Sequence, residues 1–275
     1  MDMEYLFGND AYPIVTSESE ILESYDLPET RAVILRDKEV WQKEAEIFRS
    51  GIIMRDENNV GNSYVRDVNS KNGRRVAGEV SYLDVISASE ILAESAKAEI
   101  VVSAEACELF HNKMNYMREL YNRVHDEYYG AREDETVVGH AMFTPKGGIG
   151  RATMMHVDDV NMTLHSTFAG ATLRLLDGIT TEKLWDLMDK TKLNSMDQSQ
   201  RDSSEKELSS LTESYGEEFG NAHAGDLIFM KGQKGKDMRD PEVRKNMAVH
   251  ASSPYIPYQG QSAAIFYSKK TLDIE

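Results

Sequence analysis

Three side chains whose types could do chemistry stand in stretches that otherwise read as core. In MMHVDDVNMTLHSTFAG (154–170), Met154, Met155, Val157, Val160, Met162 and Leu164 are what a buried strand contains, yet His156 and Asp158 interrupt them. Two positions apart on a strand, both side chains project to one face. In AVHASS, His250 interrupts Ala248, Val249 and Ala251 in the same way. Burying an imidazole beside a carboxylate costs free energy unless something pairs with them. Two histidines and one carboxylate are the ligand set of the facial triad, which binds Fe(II) on one side and leaves positions open for substrate and oxygen. That geometry requires the late strand to lie beside the first. The plain alternative is a hydrogen-bonded histidine–aspartate pair inside the core.

Other chemistry is less well supported. An oxygen-ligated Ca²⁺ or Mg²⁺ site would not need the histidines. Cys107 is the single cysteine, which excludes an internal disulfide and a Cys-based zinc site. Glu108 and His111 form an E-x-x-H, but a di-iron bundle needs a second one. PKGGIGRA (145–152) lacks the G-K-[ST] ending of a phosphate loop and reads as a hairpin turn. Ser252 and Ser253 have no strand-to-helix elbow to make either a nucleophile. On a regular strand His165, Asp159 and Asn161 turn away from His156, so they read as structural.

The elements that must position the triad change in texture along the chain. Residues 1–30 are acidic and irregular, and RAVILRD (31–37) is a short buried strand. KEVWQKEAEIFRSGI (38–52) has helical spacing, 56–79 is a loop or irregular hairpin, and 81–99 and 104–129 are two helices. ETVVGHAMFTP (135–145) is strand-like, and TLRLL (172–176) continues the same hairpin as the opening stretch. Residues 178–222 are polar, helical in places (EKLWDLMDKTK), and read as an insertion of the kind that serves as a lid. AGDLIFMKG (224–232) is a buried strand entered by a Gly-Asp turn, 234–246 is a charged loop, and 247–255 and 261–270 are the last strands. The expected fold is α+β: a mainly helical N-terminal region (1–134) packed on a jelly-roll core (135–275) with the polar insertion at 178–222.

The order of these features carries a resemblance. HVD (156–158), then GDLIFMKG, then a histidine in a late strand resembles the double-stranded β-helix (cupin-like) core of the Fe(II)- and 2-oxoglutarate-dependent oxygenases, with HVDDVN and GDLIFMKG resembling strands of Jumonji-type hydroxylases. The pattern is also similar to an uncharacterised bacterial family running His-x-Asp, Thr-Tyr-x-Gly, Lys-Gly, Val-His-x-Ser-Pro, which here reads HVD, TFAG (167–170), KG (231–232) and VHASSP (249–254). The resemblance covers about 135–270 and implies Fe(II) on His156, Asp158 and His250, with 2-oxoglutarate as cosubstrate. It implies hydroxylation of a small-molecule substrate by molecular oxygen, since halogenases of this type vacate the carboxylate position.

One departure stands out. Most such oxygenases clamp the distal carboxylate of 2-oxoglutarate with an Arg or Lys shortly after the last histidine. Here Gln259, Gly260 and Gln261 stand there, and Gln is a poor substitute for a bidentate Arg. Arg174, Lys231, Arg151 and Gln261 are the candidate cosubstrate contacts. Two other readings follow: a cupin-like metalloenzyme using the same triad without 2-oxoglutarate, as a dioxygenase or isomerase, or a non-catalytic binding module.

The bulk composition narrows the partners. With 31 basic and 47 acidic residues among 275, the net charge of −16 argues against general affinity for nucleic acid or anionic membranes. No apolar run approaches a membrane span, and MDMEYLFGND lacks a signal-peptide pattern, so a cytoplasmic location is expected. The helical half offers a face for homodimerisation or for substrate capture alike.

Overall fold

The structure is a computed structural model and describes residues 10–36, 43–44, 46–47, 52–54, 66–67, 79–82, 100–132, 135–144, 154–169, 172–176, 182–192, 198–214, 219–252 and 262–271. Of the expected helix at 81–99, residues 81–82 are strand and the rest lie outside the described residues, as do most of 38–52 and 56–79, the turn at 145–152, and Arg151, Ser253, Gln259 and Gln261.

The chain opens with β1 (Ile14–Val15), helix α1 (Ser19–Tyr25) and β2 (Ala32–Leu35), where the apolar RAVILRD run forms its expected strand. Short strands β3 (Ile52–Met54), β4 (Arg66–Asp67), β5 (Glu79–Tyr82) and β6 (Ile100–Val102) precede the long helix α2 (Ala104–Tyr129). Ser103 caps α2 by accepting from the Ala106 N–H, and Gly130 ends it at a φ of 83° that a β-carbon disfavours. Its buried residues Ala106, Phe110, Met114, Met117, Tyr121 and Val124 recur at helical spacing and make one face.

The second half supplies β7 (Glu135–Thr144), β8 (Met162–Ala169), β9 (Leu173–Leu176), α3 (Glu182–Lys192), α4 (Gln198–Ser214), β10 (Phe219–Asn221), β11 (Leu227–Lys231), α5 (Pro241–Lys245), β12 (His250–Ser252) and β13 (Ser262–Thr271). The larger sheet runs in the order β1-β2-β11-β8-β13-β7-β5-β4, and a smaller one runs β10-β9-β12. His156 extends the smaller sheet by bridging to His250, with both backbone N–H···O bonds made. From β7 onward the chain passes back and forth between the two sheets, with β9 and β10 consecutive in the smaller one, as in part of a jelly roll. β9 is therefore not a continuation of the β8 hairpin: it crosses to the smaller sheet and pairs with β10 and β12. The early strands join both ends of the larger sheet, so the N-terminal region contributes strands as well as helices.

Three apolar layers hold this together. Between the sheets, Ala32, Ile34, Ile228 and Met230 meet Leu173, Leu175 and Ala248. On the outer side of the larger sheet, α2 packs on Leu164, Phe168, Leu227, Phe229 and Tyr267. On the outer side of the smaller sheet, Leu184, Trp185, Leu187, Met188 and Leu208 of α3 and α4 pack on Leu176, Val249 and Ala251. The polar-looking insertion is thus a helical layer of the core. No described helix is long and apolar enough to cross a membrane.

Candidate metal centre

His156, Asp158 and His250 come together at one end of the space between the sheets, each offering one ligand atom, all within 4.8 Å of one another. Their neighbours set the orientation of each. His156 Nδ1 donates to the Met154 carbonyl at 2.9 Å, and His250 Nδ1 donates to the Ala248 carbonyl at 2.9 Å. Both rings thereby present Nε2 to the shared space, the tautomer a metal-ligating imidazole requires. Thr163 Oγ1 donates to Asp158 Oδ2 at 2.6 Å and fixes the carboxylate.

The distances discriminate between a core hydrogen bond and a cation cradle. His156 Nε2 lies 3.8 Å from Asp158 Oδ1, and His250 Nε2 lies 3.7 Å from Oδ2. Both exceed the 2.7–3.2 Å of a hydrogen bond. Ligands in a facial arrangement around a metal with bonds of about 2.1 Å stand about 3 Å apart. The three atoms converge without bonding each other, which fits a small cation between them. Partial burial raises the pKa of the Asp158 carboxyl, but the two imidazoles and the Thr163 bond outweigh this and hold it below the usual carboxylate range. His250 is buried at 5% exposure, while His156 and Asp158 keep 32% and 28%, so one wall is closed and the other rim is open.

The loop carrying Asp158 is splinted by the strand end that the sequence marks with Lys-Gly. Gly232 N–H donates to the Asn161 carbonyl, Gln233 N–H to that of Asp158, and Lys234 N–H to that of Val160, at 3.0, 3.0 and 3.2 Å. A β-carbon on Gly232 would sit 2.1 Å from the Val160 oxygen and 2.9 Å from that of Asp158. Only glycine permits this approach.

The remaining predicted contacts are dispersed. Arg174 pairs across the sheet with Ala251, next to His250, and strand alternation turns it to the outer face, where burial lowers its pKa. The Lys231 ammonium bonds the Leu27 carbonyl at 3.0 Å and lies 5.2 Å from the Tyr25 ring, on the α1 side of the larger sheet. Burial, with Lys236 nearby, pushes it down to about 8.

His165 reverses its expected direction. Bends at 159–161 break the strand before β8 begins and reset its alternation. His165 then shares a face with Thr163, opposite Ile228 of β11, whose side chain lies between the sheets. Burial pushes its imidazole down to about 3, with His250 adding and Asp158 partly offsetting. Spacing alone misses Thr163 and His165, because both depend on that break.

No protein-family model matches the sequence, and no curated protein matches it. Solved structures with a similar course include the rice dioxygenase for auxin oxidation, 11% identical with a TM-score of 0.44 over 91% of this chain and 77% of that one. The Arabidopsis thaliana dioxygenase for auxin oxidation 1, as a 2-oxoglutarate complex, is 12% identical with a TM-score of 0.41 over 91% and 86%. A 2OG-Fe(II) oxygenase family protein from Caulobacter crescentus is 12% identical with a TM-score of 0.39 over 93% and 81%. At such values the likeness assigns no family, and the function has to come from the side chains.

Proposed function

We propose that this protein is a non-haem Fe(II)- and 2-oxoglutarate-dependent oxygenase that hydroxylates a small molecule, with His156, Asp158 and His250 as the metal ligands on a double-stranded β-helix. The observation that carries the reading is the pair of imidazole Nε2 atoms converging on one carboxylate at 3.7–3.8 Å, with both Nδ1 atoms anchored to backbone carbonyls. Two nitrogens and one oxygen leave coordination positions open, the donor set of non-haem iron oxygenases. Iron held there would supply the oxygen activation; the protein's part is orientation and exclusion of water. Thr163 keeps the carboxylate aimed inward, the Met154 and Ala248 carbonyls keep the rings aimed inward, and the apolar layer of Ile228, Met230, Leu173 and Leu175 keeps the floor dry. The order of triad and strands, together with the sequence resemblance, supports 2-oxoglutarate as the cosubstrate.

A second reading, a cupin-like metalloenzyme without 2-oxoglutarate, is favoured by one observation: Arg174 and Lys231 both point away from the triad. Adding Fe(II) and then 2-oxoglutarate to metal-free protein under anaerobic conditions separates the two. A weak visible charge-transfer band that needs both additions is expected, and His156→Ala should abolish iron uptake while the fold survives. Iron uptake without the band supports the second reading. No uptake at all removes the metal.

A further inference from the structure

Resting on the oxygenase reading, we propose that His165 is a hydrogen-bond donor to the distal carboxylate of 2-oxoglutarate, a positioning role filled in other such enzymes by an Arg or Lys.

His165 is 7% exposed, and its Nδ1 is a buried polar atom with no hydrogen-bond partner among the described residues. Leaving such an atom unpaired is costly, and a ligand that supplies the partner removes that cost. The side chain lies on the inner face of β8, opposite Ile228 and two residues from Thr163, whose hydroxyl bonds Asp158 on that same face. It is therefore placed at the triad's edge.

Among the described residues, four cations of the surrounding strands are held elsewhere. Arg36 grips Asp226 through two bonds of 2.8 and 2.7 Å, Lys231 bonds Leu27, Lys269 pairs with Asp126, and Arg174 lies on the outer face of β9. A neutral imidazole carries one N–H whichever tautomer it adopts. It can donate to a carboxylate without adding a further positive charge beside a dication. A histidine here rather than a cation is what a site with a dry, apolar floor tolerates, since a buried cation with its ligand absent would be uncompensated.

The test compares wild type with His165→Phe, which keeps the shape and removes the donor, and His165→Asn, which returns a donor near the Nδ1 position. Fe(II) affinity and then 2-oxoglutarate affinity are measured anaerobically from the charge-transfer band. The expected result is a loss of about ten- to a hundredfold in 2-oxoglutarate affinity for the Phe variant. Iron affinity should stay unchanged, and the Asn variant should recover part of the loss. Equal 2-oxoglutarate affinity in wild type and Phe variant overturns the assignment of His165 and leaves the oxygenase reading standing. A parallel loss of iron affinity also overturns it, since that marks a purely structural role. A wild-type protein that takes up iron and shows no band overturns the oxygenase reading itself, and the His165 assignment with it. Should the Phe variant not fold, zinc-loaded wild-type protein with ¹⁵N-labelled histidine gives the same answer: a third imidazole N–H shifts downfield on adding 2-oxoglutarate, and its failure to move overturns the proposal.

Discussion

At the scale of single residues, burial sorts the candidate cations. Lys231 belongs to a conspicuous Lys-Gly pair, yet it serves the packing of α1 and not the triad, because its ammonium is used by the Leu27 carbonyl and the Tyr25 ring. Its pKa is lowered from 10.5 to about 8, so the fold prefers the neutral amine. The unfolded chain then binds more protons between pH 8 and 10.5, and stability rises with pH through that window. Below pH 8 the penalty is fully present, roughly 3 kcal/mol at most. Lys231→Met removes this titration. The stability of Lys231→Met relative to wild type should shrink steadily from about pH 8 to about pH 10, read from urea unfolding at fixed ionic strength. A pH-independent difference would show that the ammonium is not desolvated. The same variant should bind 2-oxoglutarate like wild type.

At the scale of elements, the triad is legible because polar residues interrupt apolar runs, and such interruptions survive any uncertainty about pairing. His156 and His250 need only sit on neighbouring strands, and they do, bridging each other directly. What does not read is alternation across a break: nothing in VDDVNM announces the bend at 159–161, so regular spacing sends His165 to the wrong face. Nor does TLRLL encode which sheet receives it, since pairing depends on distant partners. Gly232 is visible as part of a motif, while its reason appears only in three dimensions. Gly232→Ala should push the Asp158 loop away and lower Fe(II) affinity by about ten- to a hundredfold, the range for disturbing groups that orient ligands. Gly235→Ala is the comparison: its φ of +71° strains the backbone, but a β-carbon there meets nothing within 4 Å. It should cost about 1 kcal/mol of stability and leave iron binding alone. Equal iron affinity in both variants would show that the splint does not position Asp158.

At the scale of the whole molecule, the two sheets enclose the site and a helical layer covers each outer face. α2 does this on the larger sheet, with Tyr121 Oη donating to the Met162 carbonyl and Tyr267 Oη to that of Met114. The other layer, α3 and α4, lies in the stretch whose Ser, Glu and Asp content suggests a mobile lid. The apolar stripe of EKLWDLMDK is short and sits among charges, which is why composition conceals it. In the fold, Trp185 and Leu208 are 3% and 1% exposed, and Thr212 Oγ1 accepts from the Met155 N–H at 3.1 Å. Met155 directly precedes His156, so α4 braces the strand that begins the triad. Lids are drawn from regions with few buried apolar contacts, and this hairpin has many. Leu208→Ala should therefore destabilise the protein by roughly 2–5 kcal/mol in urea unfolding. Replacing 182–214 with a short Gly-Ser loop should leave a chain that neither folds cooperatively nor holds iron. A folded, iron-binding protein after that replacement would mean the helices are a cover after all, because a cover can be removed without taking the smaller sheet with it.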